Sequence, residues 1–260
     1  MNRKHIAFDC GGAQLAGTLD DAEGTTGLLL VTGGNETRAG AFSGQAALAD
    51  RIARAGHPVF RFDRRGVGDS EGYNMGFRHS QEDIAAALKA FRDACPGLSR
   101  VVALGNCDAA SALMLAGGAG ADALVLSNPW TYEDGDADAA PPPEAIRARY
   151  AQKLKDPREL WRLLTGGVNL RKLAGGLRKA ASAAPPPSDL AGAMAQGLEG
   201  YRGPVKILIA GADRTGQAFL SGWDRGDKRL AICEGADHAY SGATGQEWLL
   251  QRILAVLADK

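Results

Sequence analysis

The sequence predicts an α/β fold, with a mostly parallel sheet covered by helices on both faces. Three observations lead there. Short apolar runs recur along the chain, helical patterns alternate with them, and small or polar residues mark the junctions. The chain has 260 residues and is 45% hydrophobic, enough for one sizeable core.

The elements follow in order. "HIAF" and "AQLAGTL" flank "DCGG" and read as a hairpin. "GLLLVTGG" is a buried-type strand ending in glycines. "GQAALADRIARAG" (44–56) reads as a helix that stops at Gly56. "HPVFRFD" is the next strand. "SQEDIAAALKAFRDAC" (80–95) is a helix, with Ser80 as N-cap and Asp83 completing a capping-box variant. "RVVALG", the helical "DAASALMLAGG" (108–118) and "ALVLSNP" continue the alternation. "VKILIAG" and "KRLAIC" are the last strands, and "GQEWLLQRILAVLAD" (245–259) is the closing helix. Residues 129–200 break the pattern. They are rich in Ala, Pro, Gly and charge, and carry PPP tracts at 141–143 and 185–187. They are expected to form a helical cap or lid inserted into a core of residues 1–128 and 201–260.

Composition narrows the function. The formal net charge is zero, so charge points to neither nucleic acid nor a membrane surface. The first residues, "MNRKHIAFDC", lack an apolar leader, and no apolar run reaches the roughly 18 residues of a membrane span. A cytoplasmic setting is expected, with Cys10, Cys95, Cys107 and Cys233 as reduced thiols. No His/Cys cluster has ligand spacing, so no metal is expected. "GGNETRAG" lacks G-x-G-x-x-G, so a nucleotide cofactor has no phosphate cradle, and no cofactor is expected.

In parallel sheets of this kind, ligands bind beyond the carboxyl ends of the strands. Cys107 follows "VVALG", Asp213 follows "ILIAG", and His238 follows "LAIC". "GNCDA" fits the nucleophile elbow G-x-S-x-G, with Cys in place of Ser and Ala109 in place of the last Gly. The elbow needs small residues two before and two after the nucleophile, and Gly105 and Ala109 meet that demand. The spacing alone also allows a second reading, in which Cys107 is a small buried hydrophobe.

With "FDRRGVGDSEG", "IAGADRTG" and "EGADHAYSG" added, nearly the whole chain outside the insertion resembles the α/β-hydrolase superfamily. More narrowly, "TGGNETRAG", "FDRRGVGDSEG" and "GNCDAASAL" look like the type 1 hydrolases associated with the exosortase A system, which sit beside exopolysaccharide and protein-sorting genes. The resemblance implies an α/β-hydrolase fold: a mostly parallel central sheet, helices on both faces and a helical cap or lid insertion. It also implies a Cys-His-Asp triad of the kind dienelactone hydrolases use on this fold. Cys107 would be the nucleophile, His238 the base and Asp213 the acid that orients it, with Asp237 the weaker alternative. The oxyanion hole would use the N–H of Asp108 and a second N–H at Gly34 or Asn35. Arg38 and His79 are candidate substrate contacts, each with an ordinary surface role as the alternative. His5 and His57 read as structural. The expected reaction is ester or thioester hydrolysis, with acyl transfer or a non-catalytic binding role as alternatives.

Between Glu144 and Ser182 ten Lys and Arg face three acids, about +7 in an otherwise balanced chain. A solvated helix face accounts for this. So does attraction of an anionic acyl carrier, which makes a coenzyme A or carrier-protein thioester a candidate partner alongside small acyl substrates.

Overall fold

The structure is a computed structural model and describes residues 3–132 and 189–259. Its sheet has eight strands: β1 (Arg3–Cys10), β2 (Ala13–Asp20), β3 (Thr26–Val31), β4 (Val59–Phe62), β5 (Arg100–Asn106), β6 (Ala123–Ser127), β7 (Val205–Ala210) and β8 (Leu230–Cys233). Their order is β1-β2-β4-β3-β5-β6-β7-β8. β1, β2 and β4 pair antiparallel, and every pairing from β4 through β8 is parallel. The "DCGG" turn forms because Gly11 and Gly12 adopt φ of 60° and 89°, which a two-residue hairpin loop requires.

The central strands are apolar throughout because both faces are covered. In β3, Leu29 and Val31 pack on one side, while Leu28 and Leu30 pack on the other. Helices α1 (Gly44–Arg54), α2 (Gln81–Ala94) and α3 (Asp108–Leu115) follow β3, β4 and β5. α2 and α3 bring Ile84, Phe91 and Leu113 to the Leu29 side. α1 and the C-terminal helix bring Ile52, Leu250 and Ile253 to the Leu28 side.

Three findings modify the sequence-based expectation. First, α4 (Asp189–Glu199) lies in the span assigned to the insertion, yet its Leu190, Met194 and Leu198 are buried in the core on one face of the helix. It packs closely on α3: a Cβ on Gly197 would stand 2.1 Å from the carbonyl oxygen of Met114. Apart from residues 129–132 and Gly200, the rest of the cap assignment, with both proline tracts and the basic cluster, falls in residues 133–188, outside the described residues. Second, the structure adds α5 (Arg214–Gly222), a short helix with two glycines that Asp213 caps. The last helix, α6, spans Ala243–Ala258. Third, the capping box at Ser80 does not form. Its hydroxyl donates to Gly76 O and accepts from the buried Arg64. The Asp83 carboxylate instead takes the backbone N–H and the guanidinium of Arg65. A buried guanidinium needs acceptors more than a helix end open to water does.

Candidate active site

Cys107 sits between β5 and α3 with φ 62° and ψ −129°, a strained backbone that turns a strand sharply into a helix. Its N–H donates to Ser127 O at 3.0 Å, and its carbonyl accepts from Ala110 N at 3.1 Å. The turn is tight because the strand and the helix nearly touch. A Cβ on Gly105 would stand 2.6 Å from the Ala109 carbonyl carbon. Glycine is therefore required at 105, as the elbow pattern anticipates.

The histidine and the acid converge on the same point. His238 follows β8, and its Nδ1 lies 2.9 Å from Asp213 Oδ2 at the end of β7. The same Asp213 oxygen accepts the Gly216 N–H at 2.9 Å, which caps α5. Hydrogen bonds to Asp213 and then to the Cys107 side chain raise His238 from 6.5 to about 10, against the opposing effect of burial. His238 thus touches both other members of the expected triad. Asp237 is turned away, with its carboxylate taken by the N–H and hydroxyl of Ser241.

Several residues that sequence reading passed over support this arrangement. Asn106 Nδ2 lies 3.4 Å from His238 Nε2 and equally far from His238 O. Asn128, at φ 43°, donates to Asn106 Oδ1 at 3.0 Å and accepts from Ala210 N at 2.7 Å. It thereby ties the ends of β5, β6 and β7 together. Tyr240, raised mainly by burial, shares a 3.2 Å hydrogen bond with Ser127. The strand-end rule that found Cys107 also points to Asn128, which directly follows β6.

The oxyanion-hole residues are placed differently from one another. The Asp108 backbone opens α3 beside Cys107. The Gly34 N–H, however, donates to the Asp108 carboxylate at 2.6 Å. The other Asp108 oxygen lies 3.5 Å from Arg64, which in turn donates to Gly34 O. Asn35 is engaged by Asn74 through its side chain and does not line the cavity at Cys107. At Gly33 a Cβ would stand 2.7 Å from the backbone carbonyl oxygen of Asn106, so only glycine passes there.

The two proposed substrate contacts lie outside the cavity. Arg38 pairs with Asp63 and, at 2.9 Å, with Asp69; its Nε donates to Thr18 at 3.0 Å. Asp63 is fully buried and needs that cation, so Arg38 pins the loops after β3 and β4 together. His79 ends a short 3-10 turn, Phe77–His79, and is exposed. His57 and His5 bond to Thr26 O and to Thr18.

A cavity of about 320 Å³ opens at Cys107 and His238. It runs past Gly33 and Gly34 between α1 and α6, with Leu30, Leu48, Leu104 and Leu249 in its walls. Among the described residues no His/Cys/Asp/Glu group could hold a metal ion. No helix among them is long and apolar enough to cross a membrane.

Comparison with known proteins agrees with this architecture. No curated protein matches the sequence. Among solved structures, GrgF from Penicillium sp. sh18, an alpha/beta hydrolase, aligns with a TM-score of 0.65 at 18% identity, over 99% of this chain and 98% of that one. An esterase of Pyrococcus furiosus aligns with a TM-score of 0.62 at 15% identity, over 98% of this chain and 89% of the other. An alpha-beta serine hydrolase homologue from Coxiella burnetii gives 0.62 at 14%, with 99% of each chain covered. At these identities the likeness is one of fold. The sequence itself matches the family model described as "Alpha/beta hydrolase family" over residues 28–248, a span that contains the elbow, the acid and the histidine. This chain belongs to the alpha/beta hydrolase family.

Proposed function

We propose that the protein is an esterase- or thioesterase-like acyl hydrolase that works through an acyl-cysteine intermediate. The observation that carries this reading is the 2.9 Å hydrogen bond from His238 to Asp213 at the strand ends, with His238 and Cys107 lining one cavity. In the first half-reaction Cys107 Sγ attacks the acyl carbonyl and a C–S bond forms. His238 gives its Nε2 proton to the departing alcohol or thiol as the C–O or C–S bond of the substrate breaks. In the second, His238 takes a proton from water, the hydroxide attacks the thioester, and the Cys107 thiolate leaves. Asp213 keeps Nδ1 protonated throughout. The Asp108 N–H meets the oxyanion directly, and the Gly34 N–H joins it once the Asp108 side chain lets go.

The test is mass spectrometry of the protein after incubation with a panel of acyl esters and thioesters. A mass gain located on Cys107 and absent from Cys107→Ala supports the mechanism. Full ester hydrolysis by Cys107→Ala overturns it. Transfer of the trapped group to an added amine or alcohol, faster than to water, would identify an acyltransferase of the same chemistry.

The narrower placement among the type 1 hydrolases of the exosortase A system rests on "TGGNETRAG", "FDRRGVGDSEG" and "GNCDAASAL". A coenzyme A or carrier-protein thioester rests on the +7 segment at 144–182. Steering by that segment weakens as salt shortens the Debye length. kcat/KM for an acyl-coenzyme A should therefore fall between low salt and about 0.3 M salt, while a neutral ester barely responds. Equal responses would remove the carrier and leave the triad untouched. The core of residues 1–128 and 201–260, extended by α4, is the proposed catalytic domain, and the remainder of 129–200 its cap.

A further inference from the structure

We infer that the part of the cavity between α1 and α6 is the acyl pocket, and that it takes an uncharged hydrocarbon chain of about eight carbons. The inference rests on Cys107 being the nucleophile, and it adds the class of acyl group.

The pocket starts at the chemistry. Cys107, His238 and Gly34 line the same cavity that continues between the two helices. An acyl group joined to Cys107 Sγ therefore has one continuous space ahead of it. The floor is Leu30 of β3 and Leu104 of β5, both nearly fully buried. The sides are the half-buried Leu48 of α1 and Leu249 of α6. A charge placed among those leucines would lose its water without a partner, whereas methylenes gain from the same burial.

Helix α1 sets the length. Gly44, Ala47, Leu48 and Arg51 line the cavity at the spacing of one helix face. Gly44 to Arg51 covers about 10 Å of helix axis. Small side chains keep the near end open. Gly44 has an ordinary helical backbone, φ −61° and ψ −41°, and a Cβ added there would meet nothing within 4 Å. Neither strain nor crowding requires glycine at that position, and its effect is to leave the space empty. The far end is closed by charge. Arg51 is the last α1 residue in the wall, and its guanidinium donates to Glu247 of α6 at 2.5 Å, tying one helix to the other. That cation already holds an anion, so it does not call for an acidic tail; it stops the chain. The cavity of about 320 Å³ holds about ten non-hydrogen atoms, at the roughly 30 Å³ that a water-sized group takes in a liquid. Allowing for the carbonyl, about eight carbons fit.

The experiment measures kcat/KM for p-nitrophenyl esters from acetate to dodecanoate. The value should rise about twofold to threefold per added methylene as far as about octanoate, and then level or fall. Gly44→Leu puts a side chain over Leu48, one turn on, and should bring the octanoate-to-acetate ratio to near one. Ala47→Leu gives the same test if the first variant fails to fold. Arg51→Ala removes the stop and should move the break toward dodecanoate; the pair is exposed and adds little to stability, so this variant should fold. Octyl acetate against ethyl acetate places the chain on the alcohol side and should show no such rise. A second arm measures octanamide binding by calorimetry, with a loss of about tenfold or more expected in Gly44→Leu. That arm involves no chemistry, so it supports the pocket even where Cys107 proves not to be the nucleophile. A flat acyl series together with no octanamide binding overturns the inference. So does a length dependence that sits on the alcohol side, or one that both Gly44→Leu and Ala47→Leu retain. An unmoved break in Arg51→Ala overturns the ion pair as the stop.

Discussion

Replacing Asp213 with asparagine tests the site most sharply, because one carboxylate oxygen has two duties. Asp213 Oδ2 accepts from His238 Nδ1 and from the Gly216 N–H, both at 2.9 Å. In Asp213→Asn the amide must choose which end to place there. The Gly216 N–H selects oxygen, so the imidazole still finds an acceptor at Nδ1 and keeps its tautomer. What disappears is the charge. Where such a change also reverses the tautomer, the loss in kcat is about 10⁴-fold; here about 10²-fold is expected. Asp213 is the largest cause of the high His238 value, so the histidine midpoint should fall from about 10 toward its ordinary 6.5. The sign for stability follows. The pair's contribution is complete below pH 6.5, where the unfolded chain also holds the proton, and is lost as pH rises through about 10. Asp213→Asn should lose it at lower pH. Asp213→Ala also removes the α5 cap, costing about 1 kcal/mol and about 2–4 °C in Tm. The assays are p-nitrophenyl ester hydrolysis, NMR titration of the imidazole, and melting from pH 6 to 10. Wild-type rates in Asp213→Asn, with the His238 midpoint unmoved, would refute the assignment.

Among the four cysteines, Cys107 should alkylate fastest with iodoacetamide near neutral pH, read by peptide mapping. Cys10 is pushed up to about 11, first by burial, and burial also raises Cys95 and Cys233, so each holds little thiolate. Preferential labelling of any of those three would count against the triad. Asp108→Asn removes a carboxylate from beside the oxyanion position while keeping an acceptor for Gly34 N–H. Its kcat/KM should rise about threefold or more; a tenfold fall would show that the charge is needed to hold Gly34 and Arg64. Gly105→Ala forces a Cβ against the Ala109 backbone, which cannot rotate away, and should cost about 1–3 kcal/mol by denaturant titration. An unchanged midpoint would mean that the elbow is looser than described.

What the chain determines by itself is whatever depends on neighbours in sequence. Strands and helices declare themselves by period, because burial on one face or both acts residue by residue along an element. The elbow is legible for the same reason: the Gly105–Ala109 contact spans four residues, and only small side chains fit there. Asp213 and His238 are legible as strand-end positions, although 25 residues apart, because the parallel sheet brings all such ends to one edge. The tertiary structure decides the pairings of charge. Arg38 looked like a substrate contact from its place in the loop after β3, but the fold buries Asp63, 25 residues away, and that acid takes the cation. Gly34 and Asp108 are 74 residues apart, and nothing local says that the carboxylate covers the N–H. Gln45 reads as one more polar residue at a helix start, and only the packed fold shields its Oε1 from solvent. Ion pairs and buried polar atoms are satisfied by whatever the fold carries nearest, so their partners are set by three-dimensional proximity, to which sequence spacing is blind.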